Sequence, residues 1–305
     1  MHGLILVDKP RGATSHDVVD RVRRILGQQR VGHFGTLDPL ATGLLLVAVG
    51  GATRLFPWFS RHDKVYSGEM RLGWATDTYD SQGKPASEES ADFPDRSTLL
   101  EAMKGFVGRI EQAPPPYSAK KVEGKPLYKW ARSKREIRPK ACPVVVHAFD
   151  LEDYAPPLAK FSVRCGAGTY IRSLVHDLGR ALGCGAHLAG LRRLAVGIYG
   201  LDKALSLEEI ERLAKEGRWE SVLVPLEALL PDCPKAVLTE AGCRRLQKGR
   251  PLPEDFVLEV IPAVREGASV EEHPQVCRLF SPEGRFLGLA EPVQGGKTLL
   301  PLLIL

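Results

Sequence analysis

The thirteen residues Val31–Gly43 (VGHFGTLDPLATG) constrain this chain more than any other stretch. They carry three glycines, one proline, one histidine and one carboxylate. Before them lies a short apolar run, Gly3–Val7, which reads as a buried strand. It is followed by a helical pattern from Ser15 to Gly27. In that pattern Thr14 or Ser15 can cap the start, Val18, Val19, Val22, Ile25 and Leu26 recur at helical spacing, and Gly27 can end it. After the thirteen residues comes Leu44–Val49, a second buried strand. A glycine-rich loop between a helix and a buried strand lets the backbone approach a ligand closely. Pro39 restricts Asp38 to extended backbone, so the carboxylate is expected to be held rigidly at the edge of a sheet. Taken alone, an Asp-Pro pair also starts turns.

The rest of the chain continues in short alternating elements. Val65–Leu72 alternates, with Tyr66, Gly68, Met70 and Leu72 on one face. Residues 76–96 are acidic and polar and read as a surface loop. Leu99–Val107 reads as a helix, broken by Gln112–Ser118 (QAPPPYS). Val144–Phe149 and Lys160–Cys165 read as strands, and Tyr170–Leu182 as a helix with an apolar inner side. Ser206 and Glu209 form a capping-box pattern for a helix that stops near Gly217. A boundary is expected at Leu230–Pro234 (LPDCP). Beyond it, a short helix over 239–248 and strand-like pieces at 276–280, 286–290 and 299–305 suggest a small β-barrel-like module. The stretch 254–274 fits no element. A length of 305 residues agrees with two domains at roughly 150 residues each.

Charge is unevenly placed. Between Lys120 and Lys140 stand nine basic residues: Lys120, Lys121, Lys125, Lys129, Arg132, Lys134, Arg135, Arg138 and Lys140. Only Glu123 and Glu136 oppose them, although the whole chain carries a formal net charge of just +5. Tyr128 and Trp130 are interleaved with the bases. Such a stretch can neutralise phosphates, and its aromatic rings can stack on bases or pack the segment down. A solvated basic face is the plainer alternative. Arg244, Arg245, Lys248 and Arg250 form a second cluster.

Several function classes are excluded. Gly295–Thr298 (GGKT) lacks the leading glycine of a phosphate loop, since Glu291 stands there, and Gly166–Ile171 lacks the third glycine of a dinucleotide fingerprint. Cys184 and His187 have no second ligand pair, so no metal site is expected. The six cysteines are dispersed with no C-x-x-C pair, which suits reduced thiols in a cytoplasmic protein. No apolar run reaches the ~18–20 residues of a membrane span, and the N-terminal apolar stretch is too short for a signal peptide.

The Val31–Gly43 segment resembles the catalytic motif of the TruB family of tRNA pseudouridine synthases, and it does not stand alone. Asp8-Lys9-Pro10 with Thr14-Ser15 looks like that family's N-terminal motif. Lys64-Val-Tyr66, Arg71-Leu-Gly73 and Thr76-Asp77-Thr78 look like its tyrosine motif. Gln112–Lys120, continuing to Gly124, Tyr128, Ala131 and Arg132, matches a further block. Gly168–Arg172, Leu178-Gly179, Gly185–Leu188 and Leu191–Arg193 match another. The resemblance covers most of residues 1–230, and the remainder is similar to the PUA module that often follows this catalytic domain.

The resemblance implies an α+β fold: a mixed, largely antiparallel sheet with a central cleft over 1–230, then a PUA-like domain over 231–305. It implies isomerisation of uridine to pseudouridine in the T loop of tRNA (position 55 in tRNA numbering), without cofactor or metal. The target base must be flipped out of folded RNA to be reached. Asp38 matches the essential aspartate. It could attack sugar or base, or assist departure of the base, and the sequence does not choose. Tyr66 matches the active-site tyrosine, and Arg172 the active-site arginine. A cation in the first turn of a helix opposes the dipole; pairing with Asp38 would compensate, lower the carboxylate's pKa and keep it ionised. His33 is expected to contact the RNA loop, Tyr170 to bind substrate or RNA, Lys9, Pro10 and Leu191 to be structural or pocket-lining positions, and Lys120, Lys129 and Arg132 to meet the RNA backbone. Nothing requires more than a monomer. The alternatives are a non-catalytic RNA-binding or tRNA-folding protein on the same fold, and a small-nucleoside glycosidase, which the basic tract disfavours.

Overall fold

A computed structural model describes residues 1–122, 124–133, 139–263 and 276–305. A mixed ten-stranded sheet forms the larger part. Its main path runs Val224–Pro225, Gly3–Lys9, Thr42–Val49, Ala186–Val196, Lys64–Leu72, Leu158–Cys165, Cys142–Ala155 and Gly108–Gln112. Val31–Phe34 joins the Thr42–Val49 strand, and Tyr199–Gly200 joins Ala186–Val196. Every pairing is antiparallel except one at the centre, where Thr42 and Gly43 lie parallel to Arg192 and Arg193. Among the described residues the two halves of the sheet pair only through these two residue pairs, and Lys9, opposite Gly43, and Tyr66, opposite Arg193, flank this seam.

Burial on both faces explains the continuous apolar runs. Ile5, Val7, Leu45, Val47 and Val49 face one core, with Val18, Val19 and Val22 of the Ser15–Leu26 helix, Leu174, Val175 and Leu178 of the Ile171–Ala181 helix, and Ile210 and Leu213 of the Leu207–Lys215 helix. The intervening Leu4, Leu6, Leu44, Leu46 and Ala48 face a second core completed by Val276, Phe280, Phe286, Leu289 and Leu303 of the C-terminal part. A strand covered on both faces has no polar alternation to show. Lys64–Leu72 does alternate between buried and half-buried positions.

The C-terminal sheet has six strands in the order Leu252–Pro253, Thr298–Ile304, Phe286–Val293, Cys277–Phe280, Lys235–Leu238 and Val257–Ile261. The Glu240–Gln247 helix packs Leu246 against Ala236, Leu279 and Leu299. This curled sheet fits a PUA-like module. The stretch 254–274, which fits no element in the sequence, holds a short helical turn, Glu254–Phe256, and the Val257–Ile261 strand, with 264–274 outside the described residues.

Helix caps follow the sequence signals. Thr14 accepts from the Asp17 amide, and Asp17 returns a bond to the Thr14 amide, while Gly27 closes the helix at φ 59°. Ser206 accepts from the Glu209 amide. The helix expected at 99–107 instead spans Arg96–Lys104, because Asp95 caps it by accepting from the Thr98 amide. Ala186–Val196 was not expected as a strand. Its alternation is broken by register shifts beside Gly190 and Arg193.

Gly43 marks how closely the seam is packed. Its φ is 95°, and a Cβ there would stand 2.3 Å from the Arg193 carbonyl oxygen. Backbone cannot swing aside as a side-chain tip can. Gly43→Ala is expected to cost about 3 kcal/mol from strain and overpacking together, measured by urea unfolding. A loss under about 0.5 kcal/mol would mean the two halves separate freely at this point.

Candidate active site

Asp38 sits in a tied-down turn. Its carbonyl accepts from the Ala41 amide at 3.0 Å, so the Asp-Pro pair does start a turn. The turn is pinned to the first helix: Ser15 Oγ donates to the Leu37 carbonyl at 3.1 Å and accepts from the Leu37 amide at 2.8 Å. The Gly12 amide also donates to the Pro39 carbonyl at 2.8 Å. These bonds fix where the carboxylate points.

Arg172 enters from the first turn of the Ile171–Ala181 helix and is almost fully buried. Its Nε lies 2.9 Å from Asp38 Oδ2, and its Nη1 lies 3.6 Å from Asp80 Oδ2. The same guanidinium donates to the carbonyls of Thr78 at 3.0 Å and Tyr117 at 2.9 Å. The unfavourable place of a cation at a helix start is thus offset by two carboxylates and two carbonyls.

Asp80 was not expected. It lies in the 76–96 segment that reads as a polar surface loop, yet it is buried, as is Thr76. Thr78 Oγ1 and the Gln82 amide donate to Asp80 Oδ1, and Thr76 Oγ1 donates to its carbonyl. Tyr79, at φ 64°, stacks on His176 with ring centroids 3.7 Å apart. A polar run held by its own hydrogen bonds carries no hydrophobic signal, so spacing alone does not reveal that it folds inward.

The Asp38 side chain keeps 42% of its surface open to the cleft. Protein on its other sides strips hydration, and this desolvation raises its pKa above the ordinary 3.8. Arg172 pulls the other way, and the charge of Asp80 adds to the rise. The expected pairing is therefore present and acts with the expected sign, but desolvation outweighs it. The carboxylate is less acidic than pairing alone implies.

Lys9, beside this carboxylate, has no exposed surface. Its Nζ donates to the carbonyls of Pro10 at 3.0 Å and Ala13 at 2.6 Å. Burial lowers its pKa to about 8 against the opposing pull of Asp38. Tyr66 is buried on the Lys64–Leu72 strand, opposite Arg193 and Val163 on its two neighbours. Desolvation raises its phenol pKa, with Arg193 opposing and Asp38 contributing to the rise. Tyr170 precedes the Arg172 helix, and its backbone is locked by the Gln112 amide group, which accepts from its N–H at 2.8 Å and donates to its carbonyl at 3.1 Å. Burial raises its phenol pKa, and the phenol also senses Arg172 and Asp38.

Asp38, Arg172, Lys9, Tyr66 and Tyr170 are thus brought together. His33 stands apart from the ion pair. It lies on the Val31–Phe34 strand, half buried, with its ring edge-on to His16 at 6.1 Å. Leu191, half buried opposite Gly68, packs against the main core. Lys120 and Lys129 are exposed near the Leu127–Arg132 helix. Trp130 packs that segment down: its indole N–H donates to the Val122 carbonyl at 3.2 Å, and Lys125 lies over its ring at 5.0 Å. The side chains of Tyr128 and Arg132, and all of Lys134, Arg135 and Arg138, lie outside the described residues. The preceding proline-rich loop is tied to the site through Tyr117 and through Ala113, whose carbonyl accepts from Ser173 Oγ at 2.8 Å. Among the described residues, no cluster of His, Cys, Asp or Glu could hold a metal ion.

The architecture has known counterparts. A chain of a Cbf5–Nop10–Gar1 complex superposes with a TM-score of 0.74 at 24% identity, covering 99% of this chain and 84% of that one. This is the pseudouridine-synthase fold. Residues 23–171 match the N-terminal domain of TruB family pseudouridylate synthases, and residues 172–231 match the C-terminal domain of tRNA pseudouridylate synthase B. The tRNA pseudouridine synthase B of Solibacter usitatus is 46% identical over 83% of this chain and 86% of its own. That of Cupriavidus metallidurans is 42% identical over 97% of this chain and 92% of its own. The chain belongs to the TruB family of pseudouridylate synthases.

Arg172→Met would leave Asp80 buried without its cation. Breaking a buried pair costs about 3–5 kcal/mol, and urea unfolding near pH 8 is expected to show that loss. Asp38 would lose the group that restrains its pKa. An acid whose folded pKa lies above the unfolded value binds its proton more readily when folded. Its stability contribution therefore falls as pH rises from 3.8 through the raised value. The deficit of the variant should shrink on acidification; a pH-independent deficit would separate Arg172 from Asp38 energetically.

Proposed function

We propose that this protein isomerises one uridine of the tRNA T loop, position 55, to pseudouridine, with Asp38 as the reacting carboxylate. The observation that carries the reading is the Asp38–Arg172 pair at 2.9 Å, open to the cleft on one side and bound on the other to two further chain segments, the 78–80 loop and the proline-rich stretch at Tyr117. A protein that only bound RNA would have no need to confine a carboxylate there.

The reaction breaks the bond between C1′ and N1, turns the base while it stays bound, and joins C1′ to C5. The C5 proton is lost and N1 gains one. Asp38 acts in its ionised form, whether it attacks directly or stabilises the positive charge left on the sugar. Arg172 keeps one carboxylate oxygen occupied and the charge in place. Tyr66 stacks on the flipped base, and its oxygen receives the C5 proton. Tyr170 and Leu191 line the pocket, and the fully buried Lys9 supports it by holding the Pro10 and Ala13 carbonyls. His33, outside the ion-pair network, meets the RNA loop from which the base has been drawn.

Lys120, Lys129 and Arg132, beyond the loop anchored on Arg172, lie along the T-stem backbone. Residues 1–230 form the catalytic domain, and 231–305 a PUA-like domain that grips another part of the tRNA, such as the acceptor end. The chain works as a monomer in the cytoplasm. The cytoplasmic reading rests on the dispersed spacing of the six cysteines, with no C-x-x-C pair in the sequence.

An unmodified tRNA transcript tritiated at C5 of uridine tests the reading. Wild type should release tritium and leave one adduct-dependent stop in the T loop, whereas Asp38→Asn should bind with similar affinity and lose roughly 10³-fold or more in rate. Tight binding by both proteins without release would replace the synthase with a tRNA-folding protein, and free uracil would indicate a glycosidase. Lys120→Ala with Lys129→Ala should weaken binding and flatten its salt dependence by about one logarithmic unit of slope per lost phosphate contact, read from titrations between low and moderate salt. An unchanged slope would remove these lysines from the interface.

A further inference from the structure

Arg193 is one of the largest fully buried side chains of the protein, with 1% of its surface exposed. Its neighbours in space and sequence have carboxylate partners: Arg172 meets Asp38 at 2.9 Å and Arg192 meets Asp8 at 2.7 Å. Among the described residues, Arg193 has carbonyls instead. Its Nε donates to the Leu44 oxygen at 2.7 Å, and its Nη2 donates to the Gly35 oxygen at 3.0 Å. One bond braces the strand across the seam, and the other braces the loop that carries Asp38. Burying a cation without a carboxylate is costly. Holding two carbonyls is work that a neutral donor could perform, so the retained charge calls for a further reason.

That reason stands directly opposite. Arg193 pairs with Tyr66 across adjacent antiparallel strands, an arrangement that places the two side chains on one face of the sheet. A guanidinium has donors only, so toward a phenol oxygen it can only donate. The phenol's own hydrogen is then directed elsewhere, and negative charge forming on the oxygen is met by a fixed cation.

We propose that Arg193 is a positioning residue for Tyr66: it holds the phenol oxygen as an acceptor and favours the phenolate that takes the C5 proton. The inference rests on the reading of Tyr66 given above. In that step the C5–H bond breaks, its electron pair returns to the ring, and the proton passes to the Tyr66 oxygen, whose own proton has left beforehand to solvent. The charge of Arg193 counters the desolvation that otherwise keeps the phenol neutral. The other charged or titratable groups facing this pair are Asp38, Cys165, Lys9, Lys64 and His33. Burial sets Cys165 to about 11, and both Lys9 and Lys64 to about 8.

Those two lysines supply the test. A lysine placed at 193 would be buried as Lys9 and Lys64 are, so it would surrender its charge at lower pH than an exposed lysine, which arginine does not, while still donating to a carbonyl. Arg193→Lys should stay within about tenfold of wild-type kcat near pH 6.5 and fall progressively below the wild-type profile as pH rises, with KM unmoved. Rates should recover when the pH is returned. A profile parallel to that of wild type would overturn the proposal and leave Arg193 a brace for carbonyls. Difluorotyrosine at position 66, titrated by fluorine NMR without RNA, reads the same coupling independently of turnover. Its ionisation should move at least one unit upward in Arg193→Lys, and no movement would overturn the proposal. Should the variant not fold, wild type still decides: difluorotyrosine at 66 should ionise at lower pH than at the buried Tyr199, and the reverse order would overturn it. Failure of wild type to release tritium would refute the synthase reading instead, whatever the phenol titration shows.

Discussion

The guanidinium of Arg172 joins four pieces of chain that the sequence keeps far apart. Asp38 comes from the glycine-rich loop, Asp80 and the Thr78 carbonyl from a polar loop, the Tyr117 carbonyl from the proline-rich segment, and Arg172 itself from a helix start. Arginine can do this because its planar fork presents five donors in fixed directions, and a buried lysine would satisfy fewer partners and surrender its charge more readily. Desolvating the cation is costly, and that cost is offset only when every partner is in place. The arrangement is therefore all-or-none. Misplacing any one loop leaves a buried charge or carbonyl unsatisfied, which couples the geometry of the site to the folding of the whole sheet.

The seam beside it follows the same logic. Two strands that run parallel for only two residue pairs leave carbonyls that no ladder completes. Arg193 takes up the Leu44 oxygen, Thr42 Oγ1 lies 3.5 Å from the Leu191 oxygen, and Arg192 links Thr42 with Asp8. Side chains thus do locally what the backbone does elsewhere in the sheet. This is why the consecutive arginines of Leu191–Arg193 sit within a strand, and why that strand lacks the alternation by which strands are recognised. Gly43 belongs to the same solution, since any side chain there would occupy the space of the Arg193 backbone.

What was legible in the sequence follows from these facts. Elements whose burial repeats regularly could be read: the capped helix from Ser15, the alternating strand of Tyr66, and the two-faced strands Gly3–Lys9 and Thr42–Val49. The Asp38 loop was legible through its glycines and through Asp38-Pro39, residue types that carry conformational information of their own. Asp80 was not legible as a buried group, because the 76–83 loop is ordered by hydrogen bonds among polar side chains and backbone, and such order leaves no periodic trace. The sign of the Asp38 shift was missed for a related reason. Pairing can be inferred from two motifs, but the depth at which the pair sits belongs to the fold, and desolvation grows with that depth.

The electrostatics at the base of the cleft then take a definite form. Lys9, Lys64, Arg172 and Arg193 crowd around few carboxylates. Two of them, Lys9 and Lys64, are driven down to about 8 by burial, while Asp38 is driven upward. Each shift disfavours charge, so the interior resists ionisation of either sign except where a partner is fixed in place. A polyanion entering the cleft changes that balance, since phosphates near the mouth favour the cations and disfavour the carboxylate. Arg172 is what prevents the second effect from neutralising Asp38. It is held by backbone carbonyls as well as by carboxylates, so its position does not depend on the charge state of the acid it supports. A cation anchored in that way can keep a partly desolvated carboxylate ionised beside negatively charged RNA, where an exposed ion pair would be screened or exchanged.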